Sequence, residues 1–527
     1  MFRLPIALGT STSLALSLAL FACAAPAFGQ KAKDTVRIAV EQPIQGLDPI
    51  YDPQPQATLM NSAVFDSLLW YDDAKRAFGG LLAQSFKRID DRTVEFTLKQ
   101  GAKFHDGSEF DADDAVYTIM HVIDPKTNFR FKENRFGWIE SAEKLGKYQI
   151  RVRSKEIYAP FLQGVAVSLP IYPSDLHEKL ESKPTFGKNA IGSGPYRVVS
   201  VSDNAGVQLE QSASFTHGKY ADGSELKLAG GIKRLHFVPI PDKQTQVAQM
   251  LVGNLEIMYE VNPDQAENLR SNPNLKVLAY PTVQFSYIAP DVANRSGIGV
   301  FKDPRVREAV FRAVDREAMK KAFVPKEMWD TEPLPAGMCH KWHVACDYTA
   351  PLVGYDPEKA KALLKEAGYE NGFDLVLGNW GATTPQSQAV AGYLRAVGIR
   401  ASVNSMPFNV YNKVRDDGQI QTFVGFWDNG GGQPDVNGTA RFFFDPGPRN
   451  YTHDAKLAEL AQAGYQELDV EKRKEIYREL FNRVTEQFYF FPLMPMPALV
   501  VHHKDVVLRG GHMGPKGFQP NYLSWAK

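Results

Sequence analysis

The chain has 527 residues, and 44% of them are hydrophobic, which is enough for more than one sizeable core. Its 60 Lys and Arg residues balance its 60 Asp and Glu residues, so the formal net charge is zero. Because nucleic acids and anionic membrane surfaces attract proteins with a net basic face, this balance argues against both as partners.

The N-terminus has the composition of a secretory signal peptide. Arg3 is the only charged residue there, an apolar run from Leu14 to Phe21 follows, and small residues come next. This order is typical of signal peptides, and the run is too short for a bilayer span, which needs about 20 residues. We predict a cleaved leader over residues 1–29, with Ala27 as an alternative cleavage site, and an exported mature protein.

The chain has three cysteines, and the compartment decides how they are interpreted. Cys23 lies in the leader, where a lipid anchor on it is an alternative to a soluble periplasmic protein. Cys339 and Cys346 lie in the stretch MCHKWHVAC together with His340 and His343. Export favours a disulfide between these two cysteines, because disulfides persist in oxidising compartments. Free thiols, or a metal site that also uses the two histidines, are the open alternatives at this point.

The mature chain mixes strand and helix patterns. TVRIAV (Thr35–Val40) is rich in β-formers, and RTVEFTL alternates apolar and polar residues as a half-buried strand does. Asp303 before PRVREAV and Asp356 before PEKAKALL are predicted helix N-caps, each followed by Pro at the first helical position. Strands come early and then alternate with helices without a linker-like tract, which predicts α/β lobes that share crossing segments.

Motifs for catalysis are absent from the sequence. It contains no GxSxG, no HExxH, no P-loop and no GxGxxG after a strand. Asp106, Asp111, Asp113 and Asp114 form an acidic group that could act in acid–base chemistry or bind a cation. A turn at Asp-Gly and an acidic helix start explain the same residues better. We therefore expect no enzymatic activity, no metal and no cofactor.

The stretch FVGFWDNGGGQPDVNG (Phe423–Gly438) is the best candidate for a small-ligand site. Its glycines allow close approach to the backbone, and a Trp and an Asp beside exposed backbone groups suit the wall of a binding site. The structural alternative is a flexible loop with a packed Trp.

Six blocks along most of the mature chain resemble the extracytoplasmic solute-binding proteins of peptide-type ABC transporters. That family includes dipeptide-, oligopeptide-, nickel- and opine-binding members. In chain order the blocks are GLDPIYDP, LAQSFKRIDDRTVEFTLKQGAKFHDGSEFDADDAVYTI, IGSGPYRV, FSYIAPDVANRSGIGVFKDPRVREAVFRAVDRE, YDPEKAKALLKEAGY and FVGFWDNGGGQPD. One departure concerns the ligand, because GNWGATTPQ (Gly378–Gln386) lacks the Arg with which dipeptide-binding members hold a ligand carboxylate. This departure argues against simple dipeptides.

The resemblance implies a fold and a domain arrangement. The expected fold is α/β, a two-lobed periplasmic binding protein of type II that closes like a clamp, with an additional subdomain inserted in the first lobe. Lobe I would be discontinuous and consist of residues 30–60, 190–290 and 495–527. The inserted subdomain would be 61–189, and lobe II would be 291–494.

The resemblance also implies a binding site between the lobes. The predicted ligand-binding residues are Glu41, Gln42, Pro43 and Ile44 on one side, and Gly425, Phe426, Trp427, Asp428, Asn429 and Gly430 on the other. Asp428 would pair with a ligand ammonium, with Asp435 as the alternative anchor, while Phe426 and Trp427 would form a flat apolar wall. The stretch 338–346 falls in the variable loop before YDPEKAKALL, which implies a disulfide-stapled loop near the rim of the cleft.

The implied function is that of the periplasmic substrate-binding component of an ABC importer. The chain would act as a monomer that captures a small peptide or peptide-like ligand and delivers it to the permease subunits in the inner membrane. The alternative is the same fold with a non-peptide ligand, such as an opine, a sugar conjugate or a metal chelate.

Overall fold

The computed structural model describes residues 34–52, 55–72, 77–129, 132–215, 232–348, 352–508 and 518–526. The predicted signal peptide and Cys23 lie outside these ranges. Within them, strands and helices are mixed along the chain, as the sequence patterns predict.

The strands of the described residues are numbered here in chain order. They are β1 Thr35–Val40, β2 Leu69–Asp72, β3 Ala77–Gly80, β4 Ala83–Asp90, β5 Thr93–Leu98, β6 Ile139–Gly146, β7 Gln149–Ser154, β8 Tyr196–Ser202, β9 Gly206–Gln211, β10 Arg234–Pro239, β11 Ile257–Tyr259, β12 Leu275–Tyr280, β13 Phe285–Pro290, β14 Asp374–Trp380, β15 Arg400–Met406, β16 Thr422–Trp427, β17 Phe491–Pro495, β18 Ala498–His503, β19 Val506–Val507 and β20 Ser524–Trp525.

The α-helices are numbered in the same way. They are α1 Thr58–Val64, α2 Ala112–Ile123, α3 Lys132–Phe136, α4 Phe161–Val167, α5 Ser174–His177, α6 Lys243–Leu251, α7 Pro263–Arg270, α8 Pro304–Arg312, α9 Arg316–Phe323, α10 Pro357–Glu366, α11 Thr384–Ala396, α12 Phe408–Asp416, α13 Asn429–Gly432, α14 Asn437–Phe444, α15 Ala455–Gln466 and α16 Val470–Glu486.

Helix starts follow the predicted capping chemistry. The Asp303 carboxylate accepts the backbone N–H of Arg305 at the start of α8, and Asp356 accepts that of Lys359 at the start of α10. At the start of α2 the Asp111 carboxylate accepts the backbone N–H of Asp113, and the Asp114 carboxylate accepts the backbone N–H of Asp111 in return. The structural interpretation of the acidic group is therefore confirmed at this helix start.

Two large sheets organise the chain. The first sheet has the strand order β12-β18-β11-β1-β10-β9-β8, and in it β1 runs parallel to both β10 and β11. The second sheet has the order β15-β14-β16-β13-β17. A third, antiparallel sheet, β4-β5-β7-β6, comes from the chain between β1 and β8. Strands of the first sheet come from the start, the middle and the end of the chain, but the domain bounds given above stay a prediction.

The chain crosses between the two large sheets at two adjacent places, 281–284 and 496–497. Hydrogen bonds join these crossings: the Thr282 hydroxyl donates to the Met496 carbonyl at 2.8 Å, and the Met496 N–H donates to the Gln284 carbonyl at 3.0 Å. Two short crossings side by side are typical of a hinge, because a few residues can absorb a rotation of the two sheets relative to each other.

Alternate residues of the second sheet face two separate apolar cores. On β16, Phe423 belongs to a core that also contains Trp427 and Phe443, whereas Val424 belongs to the core under α8, α10 and α11. Burial on both faces is typical of sheets with parallel strands and helical crossovers.

Two of the sequence blocks that carry the resemblance pack against each other. The His105 ring accepts the N–H of Gly192 at 3.2 Å and contacts the carbonyl of Gly194 at 2.9 Å. A side chain at Gly192 would place its Cβ 2.0 Å from the Val64 carbonyl oxygen, so only glycine fits there. FHDG and IGSGPY are therefore structural in this chain, and they join the third sheet to the first.

Asp66 is a fully buried carboxyl beside this contact. Burial raises the pKa of Asp66 to about 7 from an ordinary value of 3.8, and the charge of Lys99 opposes the rise only in part. Because the folded protein binds this proton more tightly than the unfolded chain does, the protonated group favours folding. Its contribution is therefore complete at low pH and is lost as the pH rises from about 4 to about 7.

We expect Asp66 to lower the free energy of unfolding by about 2 kcal/mol between pH 5 and pH 7. Urea denaturation of the wild type and of Asp66→Asn at both pH values isolates this contribution, since the amide mimics the protonated acid and other groups cancel. A difference between the two proteins that stays the same at both pH values would contradict the expected titration.

Within the described ranges, no helix combines the length and the apolar character that a membrane crossing requires.

Candidate functional site

The topology of the second sheet marks a candidate ligand site. β14 pairs in parallel with β15 on one side and with β16 on the other, so their carboxyl ends meet at one edge. The chain leaves β14 through α11 to β15 and then returns through α12 to β16, across β14. This reversal is a topological switch point, and ligands of open α/β sheets bind in the crevice that such a point creates.

Aromatic side chains line the carboxyl edge of these strands. Trp380 ends β14, and its ring lies 5.0 Å from that of Phe426 on β16 and 5.7 Å from that of Phe408 at the start of α12. Phe408 is 49% exposed, and Tyr411 closes the group from the buried side. We call Trp380, Phe408 and Phe426 the aromatic wall. Trp380 and Phe408 were not predicted from the sequence as ligand-binding residues, although Trp380 lies in GNWGATTPQ, the stretch compared above with the carboxylate-binding loop of dipeptide-binding members.

Gly425 has a packing reason to be glycine. It pairs across the sheet with Tyr287, and a Cβ at this position would lie 3.3 Å from the Tyr287 ring and 3.4 Å from the Trp380 ring. A larger residue would push the aromatic wall outwards, so this glycine sets the close packing of the wall against the sheet.

Trp427 faces the interior instead of the cleft. It is 7% exposed, its indole N–H donates to the Thr439 hydroxyl at 2.7 Å, and its ring packs against Phe442 and Phe443. The sequence predicted Trp427 as part of the wall together with Phe426. The structure places Trp427 in the core beneath the loop, where it packs against α14.

Asn429 shapes the loop that follows β16. Its backbone has a φ of +56°, and its side chain is fully buried. The amide nitrogen donates to the carbonyls of Gln433 and Asp435 at 2.7 Å each, and the amide oxygen accepts from Thr439 at 2.9 Å. Since these bonds lie inside the protein, Asn429 organises residues 428–436, which we call the ligand loop.

Asp435 forms a buried ion pair inside this loop. Both of its carboxylate oxygens accept from the Arg473 guanidinium, at 2.6 and 2.7 Å, and one of them also accepts the N–H of Asn437. Burial alone would lower the pKa of Arg473, but the charge and hydrogen bonds of Asp435 raise it above its usual value. Asp435 is 3% exposed and therefore serves as a structural partner of α16.

Asp428 occupies a different environment. It lies between the end of β16 and the start of α13, at the carboxyl edge of the second sheet, and it is half-buried. Of the two acids in the ligand loop, it is the one nearer in sequence to the aromatic wall, directly after Phe426-Trp427.

The stretch Glu41–Ile44 follows β1 at the carboxyl edge of the parallel strands of the first sheet. Glu41 forms an ion pair with Lys243 at 2.9 Å, and Gln42 and Pro43 are exposed. Ile44 is 1% exposed and belongs to the apolar core of the first sheet. Gln42 and Pro43 are therefore the members of this stretch that are accessible to a ligand.

The region after β7 contacts the second half of the protein. Glu156 accepts hydrogen bonds from Gln462 and Gln466 on α15, at 3.1 and 2.7 Å. Gln163 on α4 donates to Gln433 of the ligand loop at 2.5 Å. The segment that follows the third sheet thus contacts both α15 and the ligand loop.

Cys339 and Cys346 form a disulfide, as export predicts. Both cysteines are buried in the same apolar core as Trp427. Since each sulfur is bonded to the other, neither is available as a metal ligand, which overturns the four-ligand interpretation of this stretch. Among the residues that the structure describes, no three or more His, Cys, Asp or Glu side chains are grouped to hold a metal ion.

The α/β fold, with two large sheets joined by paired crossings, is that of a two-lobed binding protein. The profile of the bacterial extracellular solute-binding proteins, family 5, matches residues 77–478. The chain belongs to this family, whose members are the solute-binding proteins of ABC importers.

Individual relatives agree with this assignment. The chain is 25% identical over 517 residues to the glutathione-binding protein GsiB of Salmonella paratyphi A, a match that covers 93% of this chain and 94% of the relative. Among solved structures it is similar to a dipeptide binding protein of Pseudoalteromonas sp. SM9913 in complex with Met-Leu, with a TM-score of 0.77, 18% identity, and coverage of 93% of this chain and 100% of the other. It is also similar to NikZ of Campylobacter jejuni in complex with Ni(L-His), with a TM-score of 0.76, 22% identity, and coverage of 93% and 99%. The relatives are binding proteins, and the fold prediction is confirmed.

Proposed function

We propose that this chain captures a small peptide or peptide-like ligand between its lobes and delivers it to the permease of an ABC importer. The observation that carries the proposal is a half-buried carboxylate, Asp428, two residues after Phe426 of the aromatic wall at the switch point of the second sheet. An acid beside an apolar aromatic surface suits a ligand that has both an ammonium group and apolar parts.

Each predicted site residue has a proposed role. Asp428 pairs with the ligand ammonium, and the aromatic wall covers the apolar part of the ligand. Backbone groups at Gly425–Gly430 and at Gln42–Pro43 hydrogen-bond an extended ligand, a mode that gives affinity with little side-chain preference. Trp427 and Asn429 act from beneath by holding the loop, and Glu41 and Ile44 hold the opposite edge.

The clamp is proposed to work through the paired crossings. The lobe that carries the first sheet and the lobe that carries the second sheet rotate about residues 281–284 and 496–497. We place the lobe boundary at these crossings instead of at 290/291, because β13 (Phe285–Pro290) pairs with β16 and β17 of the second sheet. A ligand that contacts both lobes selects the closed state, because only that state makes both sets of contacts. We propose that the closed monomer then docks on the permease subunits in the inner membrane, without itself performing chemistry. This scheme includes export to the periplasm through the signal sequence 1–29.

One observation favours a non-peptide ligand as the second candidate. The stretch Gly378–Gln386, which contains Trp380, has no charged residue to pair with a ligand carboxylate. A ligand whose carboxylate is absent, masked or placed elsewhere, such as an opine, a sugar conjugate or a metal chelate, also suits this site.

Mass spectrometry of the small molecules released by denaturation tests the proposal. The protein is purified from periplasmic extract without dialysis, and a binding-site deletion variant that lacks residues 428–432 serves as the background. We expect an amine-bearing compound in the wild-type extract alone. A released compound without an amine would favour the second candidate and contradict the role of Asp428.

Replacing Phe408 with alanine should lower affinity by about tenfold, because roughly half of a buried aromatic side chain is worth on the order of 1–1.5 kcal/mol. Phe408 is 49% exposed without ligand, so the substitution should leave the fold intact. Val410 lies on the same helix and is 48% exposed, which makes Val410→Ala the matched control. Isothermal titration with the released compound measures both variants. Equal losses in the two, or no loss in Phe408→Ala, would remove Phe408 from the site.

A further inference from the structure

We propose that the disulfide-bonded loop Cys339–Cys346 is a positioning element of the ligand loop. It holds residues 434–436 through one isolated parallel bridge at Val344, and through them it fixes the backbone next to Asp428. The consequence for ligand affinity rests on the proposed function, whereas the consequence for the loop backbone does not.

Two backbone hydrogen bonds join the loops. The Val344 N–H donates to the Pro434 carbonyl at 2.7 Å, and the Val436 N–H donates to the Val344 carbonyl at 3.1 Å. They pair Val344 with Asp435 as an isolated parallel bridge. The Asp435 side chain is held from α16 by Arg473, so this segment of the ligand loop is fixed through both its backbone and its side chain.

The constraint reaches Asp428 through Asn429. The Asp435 carbonyl, in the middle of the bridged segment, accepts the Asn429 amide at 2.7 Å. Asn429 directly follows Asp428 and also bonds to Thr439, which in turn holds Trp427. A displacement of residues 434–436 would therefore break the bonds that define the backbone on both sides of Asp428.

The disulfide gives the loop 339–346, which we call the brace, its shape. Residues 339–346 form neither a helix nor a strand of more than one residue. Ala345 has a φ of +62°, which non-glycine residues seldom adopt. Inside the loop, the N–H groups of His343 and Cys346 donate to the carbonyls of His340 and His343. A covalent link between the two ends keeps this conformation, because it removes the open conformations otherwise accessible to so short a loop.

The loop is packed into the core. Cys339, Ala345, Cys346 and Val436 belong to one apolar core together with Trp427. His343 is 1% exposed, and its ring nitrogen Nδ1 accepts the N–H of His340 at 3.1 Å. Burial, with the neighbouring His340, lowers the pKa of His343 to about 3, so the ring stays neutral inside the protein. The brace therefore does not depend on the protonation of His343.

Hydrogen exchange measured by mass spectrometry tests the brace without any ligand. In the double variant Cys339→Ala/Cys346→Ala, we expect the amides of Val344 and Val436 to exchange at least about tenfold faster than in the wild type. Peptides that cover 234–239 in the first sheet should be unchanged and serve as the internal control. The matched control variant is Arg478→Ala, which removes the exposed ion pair to Asp347 just outside the disulfide and should leave both amides protected.

A second route avoids substitution in case the double variant does not fold. A phosphine attacks the disulfide of the folded wild type, and water then supplies the oxygen of the phosphine oxide and one proton for each sulfur, so that one phosphine and one water give two thiols. Each thiol is then alkylated with iodoacetamide, which releases iodide and a proton. The same faster exchange is expected in this protein. Unchanged exchange at Val344 and Val436, in either folded form, would overturn the brace.

Affinity gives the functional readout, with trialanine as the peptide probe. We expect at least a tenfold loss of affinity in the double variant relative to the wild type. Faster exchange with unchanged trialanine affinity would overturn the positioning role. Binding of trialanine to neither protein would count against the proposed peptide function, and the exchange rates would still decide whether the brace exists.

Discussion

Replacing Asp428 with asparagine should lower the affinity for an amine-bearing ligand by about 30-fold to several thousand-fold. The substitution keeps the shape and removes the charge, so the ligand ammonium would be enclosed between the lobes without a partner. Breaking a buried, hydrogen-bonded charge pair costs on the order of 2–5 kcal/mol, and each 1.4 kcal/mol is about a factor of ten in affinity. Isothermal titration with the compound released from the wild type measures this loss.

The matched control for Asp428→Asn is Asp330→Asn, because Asp330 is an exposed acid in the same half of the chain. Its removal should leave the affinity within about twofold of the wild type, since exposed charges contribute little. Wild-type affinity in Asp428→Asn, with the fold confirmed by circular dichroism, would mean that another group holds the ligand.

Replacing Asp435 with asparagine should lower the free energy of unfolding by about 3–5 kcal/mol, the usual cost of leaving one member of a buried ion pair alone. The pair with Arg473 is bidentate, and the side chains are only 4% and 2% exposed. Urea denaturation measures the loss. The matched control is Asp445→Asn, whose pair with Arg441 is about 30% exposed on both sides. That control should cost less than about 1 kcal/mol.

A double-mutant cycle shows whether the Asp435 effect belongs to the pair. Arg473→Met removes the guanidinium, and Asp435→Asn in that background should cost much less than it does alone. If Asp435→Asn instead kept the wild-type free energy of unfolding and lost ligand affinity, Asp435 would be the ligand anchor and Asp428 would not.

The elements that depend on local chemistry were predictable from the sequence. Asp303 and Asp356 cap their helices, and RTVEFTL forms an antiparallel strand with alternating burial, because each depends on neighbours within a few residues. The disulfide was predictable from the predicted leader and the count of cysteines, since an oxidising compartment favours disulfides.

The details of the site were not predictable in the same way. Trp427 and Phe426 are adjacent on β16, so their side chains point to opposite faces of the sheet, and only the packing of the folded protein decides which of them is buried in the core. The partner of Asp435, Arg473, lies 38 residues away on α16, so nothing in FVGFWDNGGGQPD indicated that this acid is paired. The wall residues Trp380 and Phe408 come together only because β14, β15 and β16 are parallel neighbours.

Small-angle X-ray scattering tests most directly whether the protein is a clamp that closes on its ligand. The radius of gyration is compared between protein freed of ligand by unfolding and refolding and the same protein saturated with the released compound. We predict a smaller radius with ligand, because contacts to both lobes are made only in the closed state. An unchanged radius, with saturation confirmed by isothermal titration on the same sample, would contradict capture between two closing lobes.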